Sequence, residues 1–115
     1  ALSLLWDLPT AAQSDIVAPY DRRLNRLAEV LGSVHYLSNL CGEQSNQWRE
    51  QMEQMLVLER PEPNRRARLI ASFNRGFRSF DSVYSACTAQ ASGAASRYIE
   101  EGIALSAEIT ARYSE

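Results

Sequence analysis

The sequence IASFNRGFRSFDSVYSAC, residues 70–87, repeats large apolar side chains at helical spacing. Steps of 3, 4, 3, 4 and 3 residues connect Ile70, Phe73, Phe77, Phe80, Tyr84 and Cys87. At about 100° per residue these six side chains form one narrow stripe. The stripe predicts a helix of about 26 residues that begins at Pro63 or Asn64 and turns its aromatic rings towards other helices. Gly76 lies at the edge of the stripe, where its missing side chain would let a neighbouring helix come close.

Apolar spacing of three and four residues also predicts two helices before this one. The first follows Pro19 and carries Tyr20, Leu24, Leu27, Leu31 and Val34 along one side. It ends where Gly42 follows Cys41. A shorter second helix runs from about Ser45 to Glu59, with Trp48, Met52 and Met55 on its buried face. The prolines of RPEPN, residues 60–64, stop it.

A fourth helix follows a weak break near Gly93. The side chains expected to face inward are Tyr98, Gly102, Leu105, Ile109 and Tyr113, and those expected to face outward are Glu100, Glu101 and Glu108. The chain has few glycines and no alternating β-branched runs, which argues against sheet. We therefore predict an all-α fold, a small up-down bundle of four helices with a short second helix, as a single domain over residues 19–115.

The segment ALSLLWDLPTAAQS, residues 1–14, is apolar and ends in small residues. Small residues after an apolar stretch are typical of an export-signal cleavage region, but this segment lacks a basic start and Asp7 interrupts it. Residues 1–18 are interpreted as an apolar N-terminal arm that docks onto a groove, or as a signal-sequence remnant. No apolar run approaches the ~20 residues of a membrane-spanning helix, so we expect no membrane span.

Composition limits the partners. The chain has 115 residues and a formal net charge of −2, with twelve basic residues that are all arginine. Without a strongly basic stripe, this charge argues against a nucleic-acid partner.

Cys41 and Cys87 are expected to form one disulfide. In an up-down-up arrangement the first and third helices run parallel, so their C-terminal ends, and the two cysteines, meet at the same pole. A bridge closing this loop is worth roughly 4 kcal/mol in the chain-entropy model. The alternative is two unrelated buried thiols. The spacing excludes CxxC redox chemistry and a cysteine-based zinc site.

Few residues suggest catalytic or metal chemistry. His35 is the only histidine, and a satisfied structural histidine is the favoured interpretation because no motif supplies a nucleophile or carboxylate partner. Paired carboxylates occur at Glu50 and Glu53 and at Glu100 and Glu101, but no histidine accompanies them on a common face. The chain has no P-loop, GxGxxG or EF-hand motif. We expect no catalytic residue, no metal and no cofactor.

The arginines of the third helix are the candidate partner-binding residues. Arg68, Arg75 and Arg78 fall on the face opposite the phenylalanines, and guanidinium groups bind carboxylates and phosphates bidentately. The alternative is a solvated face paired with nearby acids. Arg65 and Arg66 crowd the first turn, where the helix dipole disfavours cations.

Five short segments resemble a known family: LCG, QWREQM, RRARLIASFNRGF, SACT and RYIEEG, within residues 40–102. The chain resembles small exported alphaproteobacterial proteins of unknown function that are marked by two well-separated cysteines. The resemblance covers about Tyr20 to Tyr113, and FNRGF followed by a cysteine is its most specific part. It implies export to the periplasm and a Cys41–Cys87 bridge, and it implies no known activity, substrate or catalytic residue.

The leading hypothesis is a non-enzymatic periplasmic binding or adaptor module that contacts another envelope component, a protein or a polymer, through Arg68, Arg75 and Arg78. One alternative is a small enzyme or enzyme subunit with a site around His35. Another is a structural homodimer formed through residues 1–18.

Overall fold

The apolar stripes fold as four helices. The computed structural model describes the backbone of residues 2–113 and the side chains of residues 18–113. The helices are α1 (Leu2–Leu40), α2 (Gln47–Glu59), α3 (Pro63–Asp81) and α4 (Ala89–Tyr113). No strand occurs in residues 2–113. The predicted all-α bundle of four helices with a short second helix is confirmed.

Helix α1 is the centre of the bundle and packs against each of the other three helices. Several of its buried side chains belong to two clusters. Leu24, Ala28 and Leu31 meet Met52 of α2 and Leu69 of α3. Leu37 packs against Ala91 and Ala94 of α4. Because α2, α3 and α4 all bury their apolar side chains against α1, a binding site would lie in the spaces between these three helices.

Cross-helix pairs give the helix directions. Arg65, at the start of α3, binds Asp21, and Arg75, further along α3, binds Glu29, so α3 runs parallel to α1. On α4 the order is reversed, since Glu101 meets Arg26 and Glu108 meets Arg23. Helix α2 is also antiparallel to α1, because its last residue, Glu59, accepts a hydrogen bond from Tyr20.

Helices α1 and α3 cross at backbone contact. A Cβ atom added to Gly76 would lie 1.9 Å from the carbonyl oxygen of Glu29, and one added to Gly32 would lie 1.9 Å from that of Phe73. Both distances are far below van der Waals contact, so this crossing requires glycine on both helices. The prediction that Gly76 permits a close helix approach is confirmed.

The crossing also shifts the buried stripe of α3. The fully buried residues are Leu69, Ser72 and Gly76, whereas Phe73 and Phe77 are half-buried. A helix held at backbone distance buries small side chains at its centre, and large rings lie beside the contact line. The predicted aromatic centre of the stripe was wrong by about one residue.

The predicted length of the third helix was wrong. Helix α3 ends at Asp81 and has 19 residues, so Tyr84 and Cys87 lie in the following segment, 82–88. The Ser82 and Tyr84 amides close the last turn on the Arg78 and Phe80 carbonyls. Beyond that turn, the Tyr84 carbonyl accepts a hydrogen bond from the Tyr36 hydroxyl of α1, which replaces a helical partner.

Segment 82–88 is fastened to α1 by a disulfide. Cys41 and Cys87, the predicted pair, are bonded, with their Cα atoms 4.9 Å apart. Helix α4 begins directly afterwards, and the Thr88 hydroxyl accepts a hydrogen bond from the Ala91 amide at 3.1 Å. Gly93 therefore lies inside α4 and does not precede it as predicted.

The start of α1 differs from the prediction. The helix passes through Pro19, where it was expected to begin. A proline inside a helix removes one backbone hydrogen bond, at a cost of ~3 kcal/mol. The predicted boundary between an arm (1–18) and a domain (19–115) falls within α1. The predicted docking of the arm concerns side chains at positions 1–17, which lie outside the described residues.

Candidate functional site

A cleft separates α2 from α3 and exposes part of α1 at its base. We call it the α2–α3 cleft; its volume is about 590 Å³. Its lining residues are His35 of α1, Arg49, Met52, Glu53 and Leu56 of α2, and Arg66, Ile70, Phe73, Asn74 and Phe77 of α3. The lining combines apolar side chains with cations, a combination typical of a binding surface.

His35 lies at the base of this cleft. Its ring centroid is 5.9 Å from those of Phe73 and Phe77. The Asn39 amide nitrogen is 3.4 Å from Nδ1 and donates more closely to the His35 carbonyl, at 2.7 Å. Burial, and then the positive charge of Arg49, lower the pKa of His35 below its usual range. The neutral form of the imidazole is therefore favoured.

The polar groups at the cleft rim carry mostly positive charge. Arg49 lies 3.8 Å from Glu53 on the same helix, and both side chains are 66% exposed. A pair this exposed is screened by water and holds neither side chain firmly. Arg66 and Asn74 are exposed, and Arg66 makes no ion pair with any residue in the described range 18–113.

A partly buried polar junction joins α1, α2 and α3 near the start of α3. Arg65 binds Asp21 at 3.0 Å and Glu59 at 2.9 Å, and its guanidinium lies over the Tyr20 ring. Burial, with the hydrogen bond to Glu59, raises the pKa of Tyr20 to about 12. Arg65, which the sequence suggested was disfavoured in the first turn, is therefore a structural residue, and the acids Asp21 and Glu59 offset the helix dipole.

The predicted arginine face lies across α3 from the cleft. Arg68 and Arg78 are exposed and make no ion pair within residues 18–113. Arg75 is 61% exposed and lies 3.3 Å from Glu29 of α1. The three side chains share one side of α3 as predicted, although Arg75 is partly engaged by α1. Their role in binding stays a prediction.

A second groove lies between α2 and α4, and its lining is largely apolar. Its volume is about 330 Å³, and it includes Leu31 and Val34 of α1, Trp48 of α2 and Ile103 of α4. The Trp48 indole nitrogen is buried and finds no acceptor in the described part of the chain. Helix α2 therefore has open space on both flanks, and Val57 and Leu58 on it are 71% and 80% exposed.

Two glutamates predicted to face solvent instead bind α1. Glu101 accepts hydrogen bonds from Nε and Nη2 of Arg26, at 2.6 and 2.7 Å, and Glu108 lies 2.8 Å from Nε of Arg23. The outward prediction for Glu101 and Glu108 was wrong because it considered α4 alone. Arg23 and Arg26, three residues apart on α1, were the sequence signal that a neighbouring helix carries acidic partners.

Among the described residues, no group of three or more His, Cys, Asp or Glu side chains is arranged to hold a metal ion. None of their helices combines the length and apolar character needed to cross a membrane.

A family model described as a protein of unknown function, DUF2385, matches residues 19–113. Neither the curated proteins nor the solved structures include a significant match. The matched range begins at Pro19 and contains the α2–α3 cleft, both cysteines and the arginine face.

Proposed function

The chain belongs to the DUF2385 family of unknown function, and we propose a function for it from its own residues. The proposed function is that of an exported, non-enzymatic binding module, which contacts another cell-envelope component through α3. The observation that carries this proposal is a helix held at backbone distance whose exposed arginines Arg66, Arg68 and Arg78 make no ion pair among residues 18–113. Helix α3 is held against α1 at backbone distance by Gly32 and Gly76.

The arginines of α3 divide into structural and available groups. Arg65 is 19% exposed and satisfied by two acids. Arg66, on the cleft side, and Arg68 and Arg78, on the opposite side, are exposed and without ion pairs within residues 18–113. Because the backbone of α3 is already fixed, binding a carboxylate or phosphate has to order only the arginine side chains, which favours recognition of an acidic surface.

The disulfide supports the proposed periplasmic location. Stable disulfides form in oxidising compartments and are rare in the cytosol. The Cys41–Cys87 bond joins the end of α1 to segment 82–88. In this proposal residues 1–14 are the end of an export signal or an apolar arm of the exported protein.

The competing function is a small enzyme centred on His35. The observation in its favour is that His35 lies at the base of the α2–α3 cleft and that its neutral form is favoured. The aromatic rings beside it and the Asn39 contact at Nδ1 support the structural role.

The test of the binding function is crosslinking in the native host. Wild type and the Arg68→Glu/Arg75→Glu/Arg78→Glu variant are crosslinked in intact cells, purified in parallel and analysed by mass spectrometry. We expect one stoichiometric envelope partner with wild type and its loss in the variant, since charge reversal repels an acidic surface. His35→Ala should retain the partner.

A matched control keeps this result interpretable. The Arg22→Glu/Arg97→Glu variant reverses two exposed arginines away from α3 and should retain the partner. Equal, partner-free samples from wild type and variant would reject the binding function. Recovery of the protein from the cytosolic fraction with both thiols free to alkylate would reject export.

A further inference from the structure

The polar groups of the α2–α3 cleft are mainly hydrogen-bond donors. Arg49 and Arg66 contribute guanidinium groups, and Asn74 and His35 contribute an amide and an imidazole. Glu53 is the one acidic side chain in the lining. A complementary ligand therefore supplies acceptors and negative charge, and carboxylates are the groups that arginine binds best in a planar, bidentate geometry.

The walls between these donors are apolar. Met52 and Leu56 line the α2 side, and Ile70, Phe73 and Phe77 line the α3 side. Their side chains follow one flank of each helix, so the apolar surface is a strip rather than a round pocket. A ligand that matches it has an apolar stripe beside its carboxylates.

The cleft is also long and open. Its α3 wall runs from Arg66 to Phe77, about 16 Å at 1.5 Å per residue. It continues past Arg66 into a shallower depression that includes Pro61 and Pro63. A small molecule normally buries most of its surface in a closed pocket, whereas an open strip of three to four helical turns suits an amphipathic helix.

We propose that the α2–α3 cleft binds an amphipathic helix of a partner protein. The apolar stripe of that helix lies against the apolar strip of the cleft, and its carboxylates bind Arg49 and Arg66. The bound helix forms a group of four helices with α1, α2 and α3, and it lies on the side of α2 that faces away from α4. This inference goes beyond the proposed function, because it adds a second binding surface, across α3 from Arg68, Arg75 and Arg78, and gives the chemical class of its partner.

The test is a peptide selection on the purified, disulfide-bonded protein. The probe is a displayed library of 14-residue helices with fixed apolar residues at helical spacing and flanking positions randomised among Glu, Lys and Gln. We expect wild type to enrich Glu at the flanks. The Arg49→Glu/Arg66→Glu variant should enrich Lys instead and bind the wild-type winners at least tenfold more weakly.

Two controls separate this result from general charge effects. Arg22→Glu/Arg97→Glu changes the net charge by the same amount and should bind the selected peptides within twofold of wild type. Circular dichroism of each variant verifies that the helices are intact. A photocrosslinker in the best peptide should label residues of α2 and α3 that line the cleft.

Several outcomes would overturn the proposal. They are the absence of any enriched helix, enrichment of Lys by wild type, and crosslinks to the α2–α4 groove or to the Arg68–Arg78 side of α3. A synthetic peptide of residues 1–18 is included as a probe, and its binding in preference to the selected helices would identify a second copy of this chain as the occupant.

The selection uses purified protein, so its result is independent of export and of any partner in cells. If the peptide selection fails and a partner is captured in the native host, the cleft is rejected as a binding site and the proposed binding function stands. Failure of the native-host capture alone removes that function and leaves a cleft that recognises acidic helices.

Discussion

Helices α3 and α2 both pack on α1, and they do so in opposite ways. Helix α3 meets α1 backbone to backbone at Gly32 and Gly76, and buries Leu69 and Ser72 beside that contact. Helix α2 has Met52 as its one fully buried residue and open space on both flanks. The α2–α3 cleft therefore has one wall held at backbone distance and one wall attached mainly through a single fully buried side chain.

The largest effect on stability is expected from removal of the Cys41–Cys87 disulfide, which joins the end of α1 to segment 82–88. The Cys41→Ala/Cys87→Ala variant should lose about 4 kcal/mol of unfolding free energy, because 46 residues of separation are no longer constrained in the unfolded chain. Urea unfolding with and without reductant measures this loss. Wild type should respond to reductant and the variant should not; a loss below about 1 kcal/mol would contradict the chain-entropy account.

The glycine contact comes next. Gly76→Ala places a Cβ atom against the Glu29 carbonyl and should cost about 2 kcal/mol, after a gain of about 1 kcal/mol in helix propensity. The matched control is Gly93→Ala on α4, where a new Cβ atom would meet only the flexible Arg97 side chain, at 3.4 Å. That control should be stabilising by up to about 1 kcal/mol in the same urea assay. Equal effects of the two substitutions would disprove the tight contact.

The junction of α1, α2 and α3 around Tyr20 predicts that the stability of the fold falls at alkaline pH. The folded protein keeps the Tyr20 proton up to about pH 12, whereas the unfolded chain loses it near pH 10. Unfolding above pH 10 therefore releases a proton, and the contribution of Tyr20 to stability is lost as the pH rises from about 10 to 12. Urea midpoints across this range should fall more steeply for wild type than for Tyr20→Phe, and parallel slopes would refute the assignment.

The smallest effect is expected on the outer side of α2. Val57→Gln and Leu58→Gln should change the unfolding free energy by no more than about 0.5 kcal/mol, since both side chains are more than two-thirds exposed. Thermal melts of both variants check this expectation. A substantial loss in either would show that the outer side of α2 is packed, and α2 and α3 would then be attached to α1 with similar strength.

Several features of the fold follow from local sequence. The helix count, the role of Gly76 and the stop at RPEPN depend on spacing and backbone chemistry, which a sequence displays directly. The end of α3 does not. The stripe continues through Tyr84 and Cys87, and only tertiary contacts, the Tyr36 hydrogen bond and the disulfide, take those residues out of the helix.

The candidate site was less predictable than the fold. Arg68, Arg75 and Arg78 could be found because they share one side of a single helix. The cleft could not, since His35, Arg49 and Arg66 come from three helices whose relative positions depend on how closely each packs on α1. For the same reason the partners of Arg65 and Glu101 were missed, because the spacing of charges on one helix does not show which helix lies against it.

The indole of Trp48 offers an optical readout of α2. The chain has two tryptophans, so Trp6→Phe leaves Trp48 as a single fluorophore at the contact between α2 and α1. Its ring nitrogen is shielded and finds no acceptor among the described residues. Emission from this indole shifts to longer wavelength when water reaches it. Fluorescence of the single-tryptophan protein would therefore report movement of α2 in real time, without a label on the cleft itself.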